Sequence, residues 1–175
     1  MSLQLPPSAN WYSSAACDWS GAPGGLVAFT AKNTVRLLDP LTRELRGALI
    51  GHSDRVVSVE FSRMAGTLHL CATASVDLSV LVWDANSTAC LHKLAGGAGG
   101  GHAKEVVAAS MSAAAAGVVV SADKTGQVIF FFFTLVTGPR RSLSLTLSDT
   151  GVYAPQIRAR LGTTAHFCEV VVLGR

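Results

Sequence analysis

The chain has 175 residues, 49% of them hydrophobic and 14% charged, with a mean hydropathy of +0.39; this composition excludes a disordered chain and leaves one domain, or a fragment of a larger one, able to bury a core. A net charge of +3 and a pI near 8.8 are compatible with a nucleic-acid partner but lack the dense Lys/Arg patches that would assign one. Cys17, Cys71, Cys90 and Cys168 are scattered, with no CxxC pair and no His at ligand spacing, so neither a zinc site nor a disulfide framework is expected and a reducing intracellular home is.

In chain order, the first dozen residues carry no basic segment followed by an apolar run, and no secretory signal is expected. A first hairpin is predicted over 25–31 and 33–39 around the turn residues Lys32-Asn33, with 45–50 as an outer strand. A second unit follows, with Val56–Phe61 as its innermost strand, a hairpin over 68–74 and 78–84 around Val76-Asp77, and Ala89–Leu94 as its outer strand. The Gly-rich run 95–101 reads as a flexible connection. A third unit has Val106–Met111 innermost, then 117–121 and 126–132 around the turn Asp123-Lys-Thr-Gly126. The apolar runs 106–120 and 128–136 fall short of the roughly 20 residues that span a bilayer, so no membrane partner is expected.

These units form a repeat. Segments 33–39, 78–84 and 126–132 share a turn, an alternating β-branched strand and an aromatic residue or Leu, with Asp39 and Asp84 set 45 residues apart and Trp83 and Phe132 set 49 apart. Gly51-His52 precedes Trp83-Asp84 by about thirty residues, and Gly101-His102 stands at the same place in the next unit. The pattern resembles the WD40 family. The resemblance implies that His52, on the loop entering the innermost strand, bonds with Asp77, with Thr73 or Ser75 on the second strand, and with Trp83. In the third unit the same places fall to His102, Asp123 and Ser121, with Phe132 where Trp is expected; the first unit has Leu38 there. Such a buried network is favourable when every member is satisfied.

The expected fold is therefore all-β, a partial WD40 β-propeller of about three four-stranded blades near 12–50, 51–94 and 102–137 within residues 1–138, followed by a divergent, irregular tail over 139–175. Within that tail 142–147 and 169–173 have strand character. The smallest closed ring takes about 160–175 residues, and three blades do not close a seven-bladed one.

Catalytic chemistry is missing from the pattern. The Gly-rich stretch lacks a GxxxxGK[ST] phosphate cradle, and Lys104 is followed by Glu105. No GxSxG, paired carboxylates or Cys/His couple is assembled, and His52 and His102 have a structural role available. No enzyme, catalytic residue, metal, cofactor or small-molecule substrate is expected.

Ahead of the first unit lies Leu5-Pro-Pro-Ser-Ala-Asn-Trp-Tyr12. Together with Gly24-Gly-Leu-Val-Ala-Phe29, Gly47-Ala-Leu-Ile-Gly-His-Ser-Asp-Arg-Val56 and Leu70-Cys-Ala-Thr-Ala-Ser-Val-Asp77, it resembles the N-terminal part of the WD-repeat gemin family, from about Leu5 to Phe133. That family is the small nuclear RNA-binding subunit of the survival-of-motor-neurons complex. The resemblance implies binding of the Sm site and cap of small nuclear RNA for spliceosomal particle assembly and hence mRNA splicing. It also implies other gemin and survival-of-motor-neurons proteins as partners, and a place in cytoplasm and nucleus, including gem bodies. At the matching place the family stacks a Trp-Tyr pair on RNA bases, which nominates Trp11 and Tyr12. Read without the resemblance, the pair covers a blade edge. Arg55, Lys104, Lys124, Arg140 and Arg141 read first as solvated charge and second as phosphate contacts. The alternatives are a generic WD40 protein scaffold and a nonfunctional truncated product.

Overall fold

The computed structural model describes residues 8–10, 13, 15–95, 101–114 and 116–133. Among these the chain is all-β. Strands β1 (Cys17–Trp19), β2 (Val27–Ala31), β3 (Thr34–Asp39) and β4 (Glu44–Ile50) form one antiparallel sheet in chain order. Strands β5 (Val56–Phe61), β6 (Leu70–Ser75), β7 (Val80–Asp84) and β8 (Ala89–Leu94) form the second. Strands β9 (Val106–Met111), β10 (Val118–Asp123) and β11 (Val128–Phe132) form a third, three-stranded among the described residues. The tail 139–175 and most of the Gly-rich connection lie outside the described residues.

Two-residue alternation builds the layers, because successive side chains of a strand point to opposite faces. Val35 and Leu37 of β3 and Leu49 of β4 point to the second sheet, where they meet Phe61, Cys71, Leu81 and Trp83. The other face of the second sheet, with Leu70, Ala72, Ala74, Val80 and Val82, packs on Val106, Met111, Val119, Ile129 and Phe131 of the third. The middle sheet is thus covered on both sides, and all six residues of β6 are buried.

The innermost strands are also stitched together by polar groups. The Asp18 carboxylate accepts the Phe61 amide at 2.7 Å and pairs with Arg63 at 2.5 Å, tying β1 to the second sheet. Ser58 accepts the Ala109 amide at 3.2 Å, and Ser110 donates to Glu60 at 3.0 Å, tying β5 to β9.

Several strand ends differ from the sequence expectation by one or two residues. The strand expected from 78 begins at Val80, because Leu78 takes a left-handed backbone (φ 68°) and the Asp77 carboxylate accepts the Ser79 amide at 3.0 Å. The strand expected from 25 begins at Val27, since Gly25 closes a turn onto the Ala22 carbonyl at 2.8 Å. Strand β1 was not foreseen. Register also changes one assignment: Thr73 pairs with Leu81 and Ser121 with Ile129, so two residues on from each lie Trp83 and Phe131. Phe131, buried at 3% exposure, and not Phe132, occupies the place of Trp83.

Candidate functional site at the loop ends of the sheets

The β4–β5 loop, the β2–β3 turn and the β6–β7 turn lie at one end of the first two sheets, because β4 runs antiparallel to β3 and Ile50 pairs with Thr34. His52 sits on that loop and is buried. Its Nδ1 lies 3.0 Å from Asp77 Oδ2 and its Nε2 lies 2.8 Å from Thr73 Oγ1, which also accepts Nε1–H of Trp83 at 2.9 Å. The donors and acceptors order themselves. An ionised Asp77 accepts from Nδ1–H, leaving the Nε2 lone pair to accept the Thr73 hydroxyl, which in turn receives the indole proton. His52 and Trp83 therefore meet through Thr73 and not directly.

Ser75, the other candidate on the second strand, has a different place. Its hydroxyl is 2.9 Å from the carbonyls of both Asp54 and Arg55 and accepts the Asp77 amide at 3.1 Å, fastening the turn to the loop. Ser79, which sequence reasoning missed, donates to Asp77 Oδ1 at 2.5 Å and lies 3.2 Å from His52 Nδ1. Its only sequence signal is its position two residues after a turn Asp, where short hydroxyl side chains serve carboxylates.

Burial pushes the His52 imidazole below its ordinary value, against the opposing pull of Asp77. Burial alone would raise Asp77, but the Ser79 hydroxyl, the Ser53 amide and His52 more than reverse this and hold it at about 2. A neutral imidazole beside an ionised carboxylate, with the Thr73 and Ser79 hydroxyls around it already hydrogen-bonded, is a structural lock. Gly51 explains the Gly-His pairing, because a Cβ there would stand 2.9 Å from Cη2 of Trp83.

The third sheet repeats the device in reduced form. His102 Nδ1 lies 3.1 Å from Asp123 and its Nε2 lies 2.6 Å from Ser121 Oγ. The Asp123 carboxylate also accepts the Thr125 amide at 2.8 Å and the Thr125 hydroxyl at 2.6 Å. Phe131 brings no N–H to Ser121. Burial lowers the His102 pKa, as at His52.

Asn10 is a second residue that sequence reasoning did not single out for a role. It is buried, and its amide donates to the carbonyls of Lys32 at 3.0 Å and Val56 at 2.9 Å while accepting the Lys32 amide at 2.8 Å. One side chain thereby joins the β2–β3 turn of the first sheet to the innermost strand of the second. Ser13, three residues on, donates its amide to the Asn10 carbonyl at 3.1 Å and its hydroxyl to the Val57 carbonyl. Trp11 and Tyr12 lie outside the described residues, as do Arg140 and Arg141. Lys32 and Lys104 are exposed at the loop ends, and Lys124 pairs with Glu105.

At the opposite end of the first seam a cavity of about 310 Å³ is lined by Ser20, Leu26, Phe61, Leu68, His69 and Asn86, among others, with His69 its one titratable side chain. Among the described residues no three metal-ligating side chains come together, and no helix is long and apolar enough to cross a membrane. Among the described residues Cys17, Cys71 and Cys90 form no disulfide.

No family model matches the chain. Over 90 residues it is 42% identical to mouse Gem-associated protein 5 and 41% identical to the human protein of that name; each match covers 46% of this chain. Over 88 residues it is 32% identical to Component of gems protein 5 of Dictyostelium discoideum, covering 47% of this chain. The matches span only 6% of the mouse and human proteins and 7% of the Dictyostelium one. Among solved structures, a chain of "Apo ctPRC2 in an autoinhibited state" superposes with a TM-score of 0.58 at 19% identity, over 67% of this chain and 26% of that one. At that identity the likeness bears on fold alone. The three-sheet array is a partial β-propeller.

Proposed function

We propose that this chain is an RNA-binding WD-repeat module with a gemin-like role in the survival-of-motor-neurons complex, recognising the Sm site and cap of small nuclear RNA for spliceosomal particle assembly. The observation that carries the reading is the 42% identity to Gem-associated protein 5 over 90 residues. The names of the relatives denote association with gems and not a catalysed reaction. On this reading Trp11 and Tyr12 stack on single-stranded bases, whose free faces suit aromatic platforms. Other gemins are the protein partners, and gem bodies, nucleus and cytoplasm the location.

Support also comes from the residues bracketing the pair. Asn10 and Ser13 are both hydrogen-bonded to the seam between the first two sheets, so the chain runs into and out of the pair through fixed points. Fixed anchors lower the ordering cost of binding. Exposed Lys32 and Lys104 supply positive charge at the same loop ends.

The test is fluorescence anisotropy with a uridine-rich Sm-site RNA and a scrambled RNA of equal length and charge. The wild-type chain prefers the Sm-site RNA. Trp11→Ala and Tyr12→Ala each weaken that binding by about 5- to 150-fold, the equivalent of ~1–3 kcal/mol per stacked base, with the salt slope unchanged. Equal, weak binding of both RNAs by wild type and variants, governed by salt alone, would refute the reading and favour a protein scaffold.

A further inference from the structure

One backbone tie recurs in all three sheets. Lys32, Val76 and Lys124 are the residues that follow β2, β6 and β10. The Val76 amide donates to the Arg55 carbonyl at 3.0 Å and the Lys124 amide to the Glu105 carbonyl at 3.1 Å, while the Lys32 amide donates to Asn10 Oδ1 at 2.8 Å. Lys32 and Lys124 therefore hold equivalent places on the first and third sheets, each an exposed cation on a turn whose backbone is fixed. Lys104, also exposed, stands on the loop beside Glu105. Two sheet spacings of about 10 Å separate the first sheet from the third, a span that one single-strand site of several nucleotides covers.

The cations at the two ends of the sheets are neutralised differently. At the far end Arg46 pairs with Asp39 at 2.8 Å and Arg63 with Asp18 at 2.5 Å. At the loop ends the carboxylates of Asp77 and Asp123 are turned inward onto His52 and His102. Among the described residues no ion pair engages Lys32 or Lys104, and Asp54 and Glu105 are the loop-end acids left outside the locks. Glu105 pairs with Lys124, the two side chains being 36% and 57% exposed. A solvent-exposed pair of this kind holds little net free energy. A phosphate offers the ammonium the same charge-assisted bond and exchanges with the carboxylate.

We propose that the RNA crosses the loop ends from the first sheet to the third, with Lys104 and Lys124 binding backbone phosphates and Glu105 competing with phosphate for Lys124. This inference rests on the RNA-binding reading above and adds to it a path and a residue that weakens binding.

Fluorescence anisotropy of the full chain with the uridine-rich Sm-site RNA and its scrambled partner, repeated between about 50 and 200 mM salt, tests this. Lys104→Gln and Lys124→Gln each weaken the binding of both RNAs and lower the slope of log Kd against log salt by about 0.7, the share of one single-strand phosphate contact. Glu105→Gln tightens both by about two- to fivefold, because Lys124 no longer has a carboxylate to leave. Arg43→Gln removes an exposed cation from the turn before β4, at the far end, and leaves the slope unchanged. Unchanged slopes in both lysine variants, or a Glu105→Gln chain that binds no tighter, would overturn the path. So would an Arg43→Gln chain that loses as much slope as Lys124→Gln, which would show net charge alone at work. Trp11→Ala and Tyr12→Ala binding like wild type, with the lysine effects intact, would end the stacking reading and leave the path standing. A chain that binds neither RNA ends both.

Discussion

Replacing Thr73 by Val deletes one hydroxyl and keeps the shape of the side chain. In the folded chain that oxygen accepts the Trp83 indole proton at 2.9 Å and lies 2.8 Å from His52 Nε2, all three residues being buried. The substitution leaves a buried donor and a buried acceptor without partners, each worth about 1–3 kcal/mol, for a loss of roughly 2–6 kcal/mol. That is a large fraction of the 5–15 kcal/mol by which folded domains typically persist. Ser121→Ala in the third sheet provides the internal scale. There the hydroxyl serves His102 alone, because Phe131 has no N–H, so one orphaned group and roughly half the loss are expected. Urea unfolding monitored by fluorescence, with midpoints compared at a common slope, measures both. A Thr73→Val loss below about 1 kcal/mol, or one no larger than that of Ser121→Ala, would show that the network is not what holds the second sheet.

The opposite sign is expected at Thr30, whose buried Oγ1 has no hydrogen-bond partner among the described residues: Thr30→Val leaves the urea midpoint unchanged or raises stability by about 1 kcal/mol. Asn10→Ala removes three hydrogen bonds, two to Lys32 of the first sheet's turn and one to Val56 of the second sheet, and a loss of about 2–4 kcal/mol is expected in the same assay, with a null result denying the clasp. Acid weakens the fold, because His52 and His102 are held below the ordinary value of 6.5 and Asp77 is lowered from 3.8 to about 2. In each case the unfolded chain binds the proton more readily, so urea midpoints are flat between pH 6.5 and the ordinary Cys71 value of 9.0, fall below 6.5, and fall again between 3.8 and about 2. Midpoints that rise from pH 7 to pH 5 would contradict that sign.

How much of this was legible beforehand depended on whether a residue's role was local. Strands β5, β8 and β9 matched expectation residue for residue, because period-two alternation bounded by turn residues needs no tertiary information. His52, Asp77 and Trp83 were nominated only through the WD40 resemblance that the Gly-His and Trp-Asp pairs carry. Strand β1, with only Cys17-Asp-Trp19, is too short to alternate and is held by Asp18 reaching Phe61, 43 residues away. The run 130–133 is all Phe, so nothing in it separates Phe131 from Phe132; only pairing with β10 does. Asn10 was invisible as a clasp for the same reason, since its partners are 22 and 46 residues distant.

The distribution of these locks favours one end of the molecule for recognition. His52, Asp77, Ser75 and Ser79, and His102 and Asp123 in the third sheet, fasten loop to turn at the loop ends, where Asn10 also bridges two sheets. A loop whose backbone is already pinned by buried side chains loses little further freedom when a ligand arrives, and more of the contact energy survives as affinity. At the far end the first seam is held by Asp18 reaching the Phe61 amide and Arg63, whose side chain is 46% exposed. On the proposed function, with the surface around Asn10 as the one that meets RNA, Thr73→Val in a chain still folded at low temperature should weaken RNA binding less than Asn10→Ala does. If the two variants lost affinity equally, global loosening and not local anchoring would explain both.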